Sequence, residues 1–486
     1  MENMEKNELD QIRFRKEKLQ KLKEMGINPY PYSFKRTHYS QDIKNDFANF
    51  ENKDVRICGR IKTKRMHGKA GFFDIEDDKG KIQVYFRSDI LNDKFEIIKL
   101  LDLGDFIGVS GSVFKTHTGE ITVLSKDITI LSKALHPLPE KWHGVKDIEL
   151  KYRYRYLDLI SDNNSKEIFI KRTKIIQLIR EFFIKEGFIE VETPILQPVY
   201  GGALAKPFKT MYNVLKREYY LRIANELYLK RLVIGGMEKV FEMGKMFRNE
   251  GLDRFHNPEF TNLEAYWAYA DYFDVMELVE KLFTHLLSNL FGERKIKFQG
   301  EEIVFPEKWE RARFFDIIKE ETGVDFMKLD FEGTKRKAEE IGVKTEGKFT
   351  KGKILDAVFD KFVKPHLLNP IFIMDYPIDI SPLAKRHREN PELVERFEPF
   401  IARIEVGNAY SELNDPEDQK ERFKFQIELR KKGDLETESF DEDFINAMSY
   451  GMPPMGGLGL GIDRIVMLLL DADSIRDVIL FPQLKE

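Results

Sequence analysis

Two alternating segments flank a polar loop in this chain. The first ends at Lys245-Met-Phe-Arg-Asn-Glu250, and the second runs Glu259-Phe-Thr-Asn-Leu-Glu-Ala-Tyr-Trp267. A period of two fits strands better than a helix and is read as an antiparallel hairpin. In that hairpin Arg248 and Glu250 share a face, and on the return strand Phe260, Asn262, Glu264 and Tyr266 share one. A surface holding a cation, carboxylates and flat aromatics suits a nucleotide and a charged small molecule better than a core. Taken alone, the same pattern would also fit an ordinary half-polar hairpin.

A second segment, Gly456-Gly-Leu-Gly-Leu-Gly-Ile-Asp-Arg464, leads into the apolar run Ile465-Val-Met-Leu-Leu-Leu470. Glycines let a backbone approach a ligand or a neighbouring strand, and a following helix offers free N–H groups and a positive dipole end. Arg464 falls in the first turn, within reach of a phosphate. A glycine-rich turn by itself also serves tight strand–helix packing.

At 486 residues the chain has room for two to four domains and a large buried core. Its formal charge of −4 argues against nonspecific nucleic-acid binding over the whole surface, yet 79 Lys and Arg leave room for a local basic tract. A single cysteine, Cys58, excludes an internal disulfide and a cysteine-based zinc site. No apolar run approaches the roughly 20 residues of a membrane span. The start Met1-Glu-Asn-Met-Glu-Lys lacks an apolar signal core and is too acidic for a transit peptide, so the cytoplasm is the expected compartment.

Residues 1–50 read as a helical N-terminal extension, with helical spacing over 7–25. Its basic residues Arg13, Arg15, Lys16, Lys18, Lys21 and Lys23 fit a solvated face or, alternatively, a strip that grips RNA. Within 51–133 five short strands are predicted: Val55–Ile61, Phe72–Ile75, Lys81–Phe86, Phe106–Phe114 and Ile121–Leu131. A helical stretch, Ile90–Leu101, separates the third from the fourth. This order suits an OB-fold barrel, whose open face commonly binds single-stranded nucleic acid. Phe72 and Gln83 fall on adjoining strands, where one could stack on a base and the other read its edge. Phe72 could equally be barrel core.

A connector over 134–151 precedes the larger domain, 152–486. It opens with an amphipathic helix from about Ser165 to Glu186, whose stripe is Ile168, Ile175, Ile176, Ile179, Phe182 and Phe183, with Gly187 as C-cap. Residues 290–370 read as an insertion of short helical pieces. Gly347-Lys-Phe-Thr-Lys-Gly-Lys353 within it nearly matches a P-loop, but Ile354 replaces the hydroxyl residue that would hold magnesium.

Together with Gly187-Phe-Ile-Glu-Val-Glu-Thr-Pro-Ile-Leu196, the hairpin and the glycine segment resemble, in order, the three signature motifs of class II aminoacyl-tRNA synthetases. Asn28-Pro-Tyr-Pro-Tyr32, Gly201-Gly-Ala-Leu-Ala-Lys-Pro-Phe208, Arg222-Ile-Ala-Asn-Glu-Leu-Tyr-Leu-Lys-Arg231, Gly407-Asn-Ala-Tyr-Ser-Glu-Leu-Asn-Asp-Pro416 and Gly451-Met-Pro-Pro454 are similar to the lysyl branch of that family. The resemblance covers nearly the whole chain. It implies an α+β protein: an N-terminal OB-fold barrel, then a catalytic domain built on an antiparallel sheet flanked by helices. It also implies the reaction. Lysine is activated by ATP with loss of pyrophosphate, then transferred to the terminal ribose of tRNA(Lys) by a homodimer that uses Mg2+.

The same resemblance assigns roles by position. Arg248 would bridge the amino-acid carboxylate and the α-phosphate, where a planar guanidinium fits both partners. Phe260 would stack on adenine, Glu250 would accept from its amino group, and His256 and Arg464 would hold the outer phosphates. Glu398 and Glu405 would bind magnesium; their odd spacing requires a turn or bulge between them. For lysine itself, Glu412 and Tyr266 would hold the ε-ammonium, Asn408 the α-carboxylate and Glu226 the α-ammonium, with Gly202 and its neighbours closing over the ligand. An ammonium taken from water without a counter-charge costs on the order of several kcal/mol, so a carboxylate at the far end is what a lysine pocket needs. Ornithine should be rejected by only about 1–3 kcal/mol. Phe72, Gln83 and Glu120 would read the central anticodon base. Phe255 precedes His256 where the family often has a small, polar or basic residue, which leaves Arg254 to supply any further arginine from this loop.

Three other readings remain open at this point. Glu412 and Tyr266 argue against an aspartate or asparagine enzyme, since an aspartate-specific relative would need a cation where Glu412 sits. A scaffold built on an inactive synthetase should have lost Arg248, Glu405 or Arg464. A relative that attaches lysine-like groups to protein would lack the barrel.

Overall fold

The computed structural model describes residues 2–138, 147–434 and 437–485, so the middle of the expected 134–151 connector lies outside the described residues. The chain forms two compact units, residues 1–145 and 146–486.

In the first unit β1 (Asp54–His67), β2 (Ala70–Glu76), β3 (Lys81–Arg87), β4 (Phe106–Lys115) and β5 (Ile121–Ser132) close into a barrel in the order β1-β2-β3-β5-β4. Closure leaves no free strand edge. Period-two alternation sends Phe73, Ile75, Ile82, Val84 and Phe86 into the barrel and Phe72, Gln83 and Tyr85 to its outer face. The single helix expected over 90–101 is instead three pieces, Ser88–Leu91, Asn92–Lys94 and Phe95–Leu100. Asn92 has a left-handed φ of 48°, which no helix continues through. The N-terminal helix Glu2–Glu24 buries Leu22 in the barrel core. Its basic strip is smaller than expected. Arg15 is buried and donates to the carbonyls of Leu103 (3.0 Å) and Ala134 (3.1 Å), and Lys18 pairs with Asp102 at 2.5 Å.

The second unit is built on a sheet whose strands run, in spatial order, Glu310–Arg313, Ile371–Met374, Arg396–Ile401, Gly407–Ser411, Met455–Gly461, Glu259–Ala268, Lys239–Phe247 and Ile189–Glu190. The centre is antiparallel, as expected, and both edge pairings are parallel. The expected hairpin is present, with Phe247 opposite Glu259 and Val240 opposite Tyr266.

One face of the sheet (Phe241, Leu263, Ala265, Ala409, Leu458, Leu460) packs on the helices Asn163–Lys185, Tyr272–Leu290 and Ile462–Leu469. Gly187 ends the first of these at φ 86°. The opposite face carries Tyr266 and Tyr410 and adjoins a second core supplied by Glu226–Ile234, Phe314–Thr322, Lys351–Phe362, Pro416–Lys431 and Glu442–Ser449. Residues 290–370 are not only short helices. Lys295–Phe298 and Glu301–Val304 form a hairpin, and Glu310–Arg313 is an edge strand of the main sheet. Helices Ile148–Arg153 and Arg155–Ser161, which the sequence pattern did not reveal, precede the amphipathic helix.

Candidate functional site

Alternation decides what the second face of the sheet presents. Along Met455–Gly461 the leucines 458 and 460 turn into the helix-backed core, while Gly457, Gly459 and Gly461 line a cavity of about 300 Å³. The neighbouring strands add Phe260, Glu264 and Tyr266 on one side and Asn408, Tyr410 and Glu412 on the other. The floor is therefore bare backbone and the walls carry the chemistry. A Cβ at Gly457 would overlap Glu412 Oε1, so this glycine is what allows the carboxylate to lie across the strand.

Of the residues singled out for ATP and lysine, Gly202, Glu226, Arg248, Glu250, His256, Phe260, Tyr266, Glu405, Asn408, Glu412 and Arg464 line this one cavity. Glu398 does not. It lines a neighbouring cavity with Asp356, Arg396 and Glu405. The turn required between Glu398 and Glu405 exists, with Ala402 and Arg403 at φ 50° and 67° and Phe400 paired to Glu405. Arg396 holds Glu398 Oε1 at 2.7 Å and Asn408 Oδ1 at 2.8 Å, and the Tyr376 hydroxyl donates to Glu398 Oε2 at 2.8 Å. Burial pushes the Glu398 carboxyl up to about 7, against the pull of Arg396 and with the push of Glu405. Among the described residues no three His, Cys, Asp or Glu side chains form a metal-holding group.

The outer end of the cavity is open and cationic. Arg464 donates to the Glu405 carbonyl at 2.9 Å and lies 3.1 Å from His256 Nε2. His256 is held in turn by Asp253 at 2.7 Å. Arg248 lies over the Phe260 ring at 5.1 Å, and its buried Nε has no hydrogen-bond partner. Burial lowers the Arg248 pKa, partly offset by Glu250. A planar donor left unsatisfied in a cavity wall is suited to a carboxylate or phosphate oxygen. Arg254 does not reach this place: its Nε donates to the Asp473 carbonyl, and Phe255 packs on the helix-backed core.

The inner end is buried and dense in ionisable groups. Glu412 is fully buried, and its Oε1 has no partner. Burial raises its pKa well above the carboxylate range, against the pull of Lys230. Glu226 accepts from the Tyr410 hydroxyl at 2.6 Å and from Lys230 Nζ at 2.5 Å. Glu264 accepts from the Tyr266 hydroxyl at 3.1 Å, and burial followed by the Glu226 charge pushes it up to about 8. Gly202, at φ 84°, donates its N–H to the buried Glu438 at 3.0 Å; a Cβ there would meet those of Ala224 and Glu226 at 3.0 Å. Lys230, Tyr410 and Glu438 escaped the sequence reading, and Glu264 was placed on the right face without a role.

In the barrel, Phe72 is half-exposed and stacks on Tyr85 at 4.3 Å and 8°, and the core position belongs to Phe73. Gln83, two residues from Tyr85 on the same face, accepts from Thr122 at 3.0 Å. Glu120 sits before β5 and pairs with Lys44 at 3.2 Å. These residues make an aromatic and polar row on the outside of the barrel.

Comparison with known proteins agrees with both units. The family model described as tRNA synthetases class II (D, K and N) matches residues 147–485. The one described as OB-fold nucleic acid binding domain matches residues 55–131. A lysine–tRNA ligase of Thermoanaerobacter sp. (strain X514) is 55% identical over 99% of this chain and 97% of its own length. Those of Carboxydothermus hydrogenoformans (53%; 100% and 99%) and Clostridium tetani (49%; 100% and 99%) are also similar throughout.

Proposed function

The chain belongs to the class II tRNA synthetases of the D, K and N group, and from that premise we propose that it is a lysine–tRNA ligase. It activates lysine with ATP and transfers the lysyl group to the terminal ribose of tRNA(Lys). The observation that carries the choice of amino acid is the buried, unpartnered Glu412 Oε1 at the closed end of the cavity. An aspartate side chain there would meet a carboxylate, and an asparagine amide would leave the charge uncompensated.

The proposed division of labour follows the cavity. Lysine enters with its ε-ammonium toward Glu412 and Tyr266, its α-ammonium toward Glu226 and Gly202, and its carboxylate toward Asn408 and Arg248. ATP lies toward the open end, with adenine between Phe260 and Glu250 and its phosphates near Arg248, His256 and Arg464. The lysine carboxylate attacks the α-phosphorus and pyrophosphate leaves. No protein nucleophile is required, and catalysis comes from alignment and from cations placed where negative charge builds up. Arg248 bridges both reactants and Arg464 stabilises the leaving group.

Magnesium fits the Glu398–Glu405 shelf. Mg2+ takes few protein ligands and completes its shell with water and phosphate oxygens, so two carboxylates suffice. Glu398 and Glu405 line one cavity with Asp356, which gathers three carboxylates beside the proposed phosphate site. When bound, the metal would screen phosphate charge against attack.

The barrel's outer row, Phe72 with Gln83 and Glu120, is proposed to read the anticodon, by stacking and by hydrogen bonds to a base edge. Phe72→Ala should lower aminoacylation about tenfold and leave pyrophosphate exchange unchanged, as the loss of one stacked base predicts. Equal loss in both assays would make Phe72 a folding residue.

A homodimer is supported by exposed apolar side chains along one stretch of chain: Ile170, Ile184, Ile189, Ile195, Leu196, Met211, Val214 and Leu215. Sedimentation of the purified protein tests this reading. Among the described residues no helix is long and apolar enough to cross a membrane, and the cytoplasm, where charged tRNA is used, is the proposed compartment.

The deciding experiment is ATP–pyrophosphate exchange with each of the twenty amino acids supplied singly. Exchange with lysine alone is expected. Exchange with another amino acid instead would overturn Glu412's role, and none with any would favour an inactive scaffold.

A further inference from the structure

The protein keeps a lysine of its own behind the cavity's carboxylates. Lys230 has no solvent exposure; its ammonium lies 2.5 Å from Glu226 Oε1 and against Glu412 Oε2. It follows Glu226 by one turn of the helix Glu226–Ile234, so a single helix delivers the acid and the base as an i,i+4 pair. The rings of Tyr410, Tyr266 and Phe444 surround the ammonium at 5.4, 5.8 and 5.9 Å.

Resting on the lysine reading of this cavity, we infer that Lys230 is a positioning residue for the substrate. Its ammonium ties Glu226 to one oxygen of Glu412, and so keeps the other Glu412 oxygen fixed and open to the incoming ε-ammonium.

The groups facing Lys230 come from several elements: Glu226 on its own helix, Tyr266 from one strand, Tyr410 and Glu412 from the next, and Glu438 from the segment before Glu442–Ser449, while Glu264 stands behind Tyr266 and next to the Glu226 charge. Without a cation among them these buried carboxylates would repel one another more strongly and hold their protons to higher pH. Burial opposes the charge on Lys230, but Glu226 and Glu412 outweigh it and hold the ammonium protonated above its usual range. Burial also raises Glu412, and Lys230 is the first influence acting against that rise. The geometry divides Glu412 cleanly: Oε2 is taken by the internal lysine, while Oε1 lies over Gly457 with no partner.

The test is the pH profile of lysine KM in pyrophosphate exchange, comparing the parent with Lys230→Met. The variant's lysine KM should rise about 30-fold near pH 7, while its ATP KM stays within about twofold. As pH rises the unprotected carboxylates ionise, so the ratio of variant to parent should shrink to about fivefold or less near pH 9. A ratio that does not change with pH, or a variant with unchanged lysine KM, overturns the inference. Should Lys230→Met fail to fold, Lys230→Gln keeps a donor between the two carboxylates without the charge and carries the same expectation. A parent without lysine-dependent exchange would instead show that the cavity is not a lysine site, and that result comes before any variant is made.

Discussion

The two ends of the cavity solve opposite problems with the same residue types. At the inner end, Glu226, Glu264, Glu412 and Lys230 are buried, and two of the carboxylates are tied by a cation of the protein itself. At the outer end, Arg464, His256 and Glu405 touch one another at 2.9–3.3 Å but remain partly open to solvent. Burial makes each charge at the inner end expensive to leave unpaired, so that end is selective. Exposure makes each charge at the outer end cheap and screened, which suits the flexible polyphosphate proposed to lie there. On the proposed reading, specificity and turnover are thereby separated along a single cavity.

The sharpest way to break this contrast is Glu412→Gln. The side chain keeps its shape but loses the one charge facing the ligand's far end, and an uncompensated buried ammonium costs about 3–5 kcal/mol. Lysine-dependent exchange should fall about 1000-fold in kcat/KM, the low-to-middle part of that range. ATP binding, measured separately by calorimetry, should remain within about threefold. Retained lysine turnover would remove Glu412 from the pocket.

Arg464→Ala attacks the other end and should cost less. Removing one charge-stabilising donor lowers turnover about 100-fold. The loss should appear in kcat and ATP KM, leave lysine KM unchanged, and shrink as salt is raised, because part of the parent's advantage is itself screened. A salt-independent loss, or one shared equally by both substrates, would erase the distinction between the two ends.

The same contrast explains what could be read without a structure. Strict alternation placed Arg248, Phe260 and Tyr266 on one hairpin, and even spacing put Asn408 with Glu412, because strand geometry is written in period two. The role of each came from the family resemblance. Lys230 could not be found this way. In Leu227-Tyr-Leu-Lys-Arg231 it looks like the charged face of a helix, and only the packing of that helix against the sheet turns it inward. Glu264 was visible as a position but not as a group with an altered pKa, since its burial depends on strands about 150 to 190 residues away. Glu310–Arg313 was missed for a different reason: Glu-Arg-Ala-Arg carries no alternation, and its place at the sheet edge is set by its parallel partner Ile371–Met374.

The smallest expected effect is a proton. Burial and then the Glu226 charge raise Glu264 to about 8, so below that pH the free protein holds a proton there. An ammonium entering beside Glu264 favours the ionised form, and binding therefore expels the proton. The sign follows: lysine affinity is weakest at low pH, rises as pH approaches the free-protein value, and levels off above it. Between about pH 6.5 and 8 the lysine dissociation constant should fall about tenfold, close to the limit for one linked proton. Calorimetry in buffers of differing ionisation enthalpy would count that proton directly. Glu264→Gln has nothing to release, so it should bind lysine more weakly and with a flat profile. A variant that kept the parent's slope would move the titrating group to another buried carboxyl, to Glu438 first, since it lies behind Gly202 and is also raised to about 8.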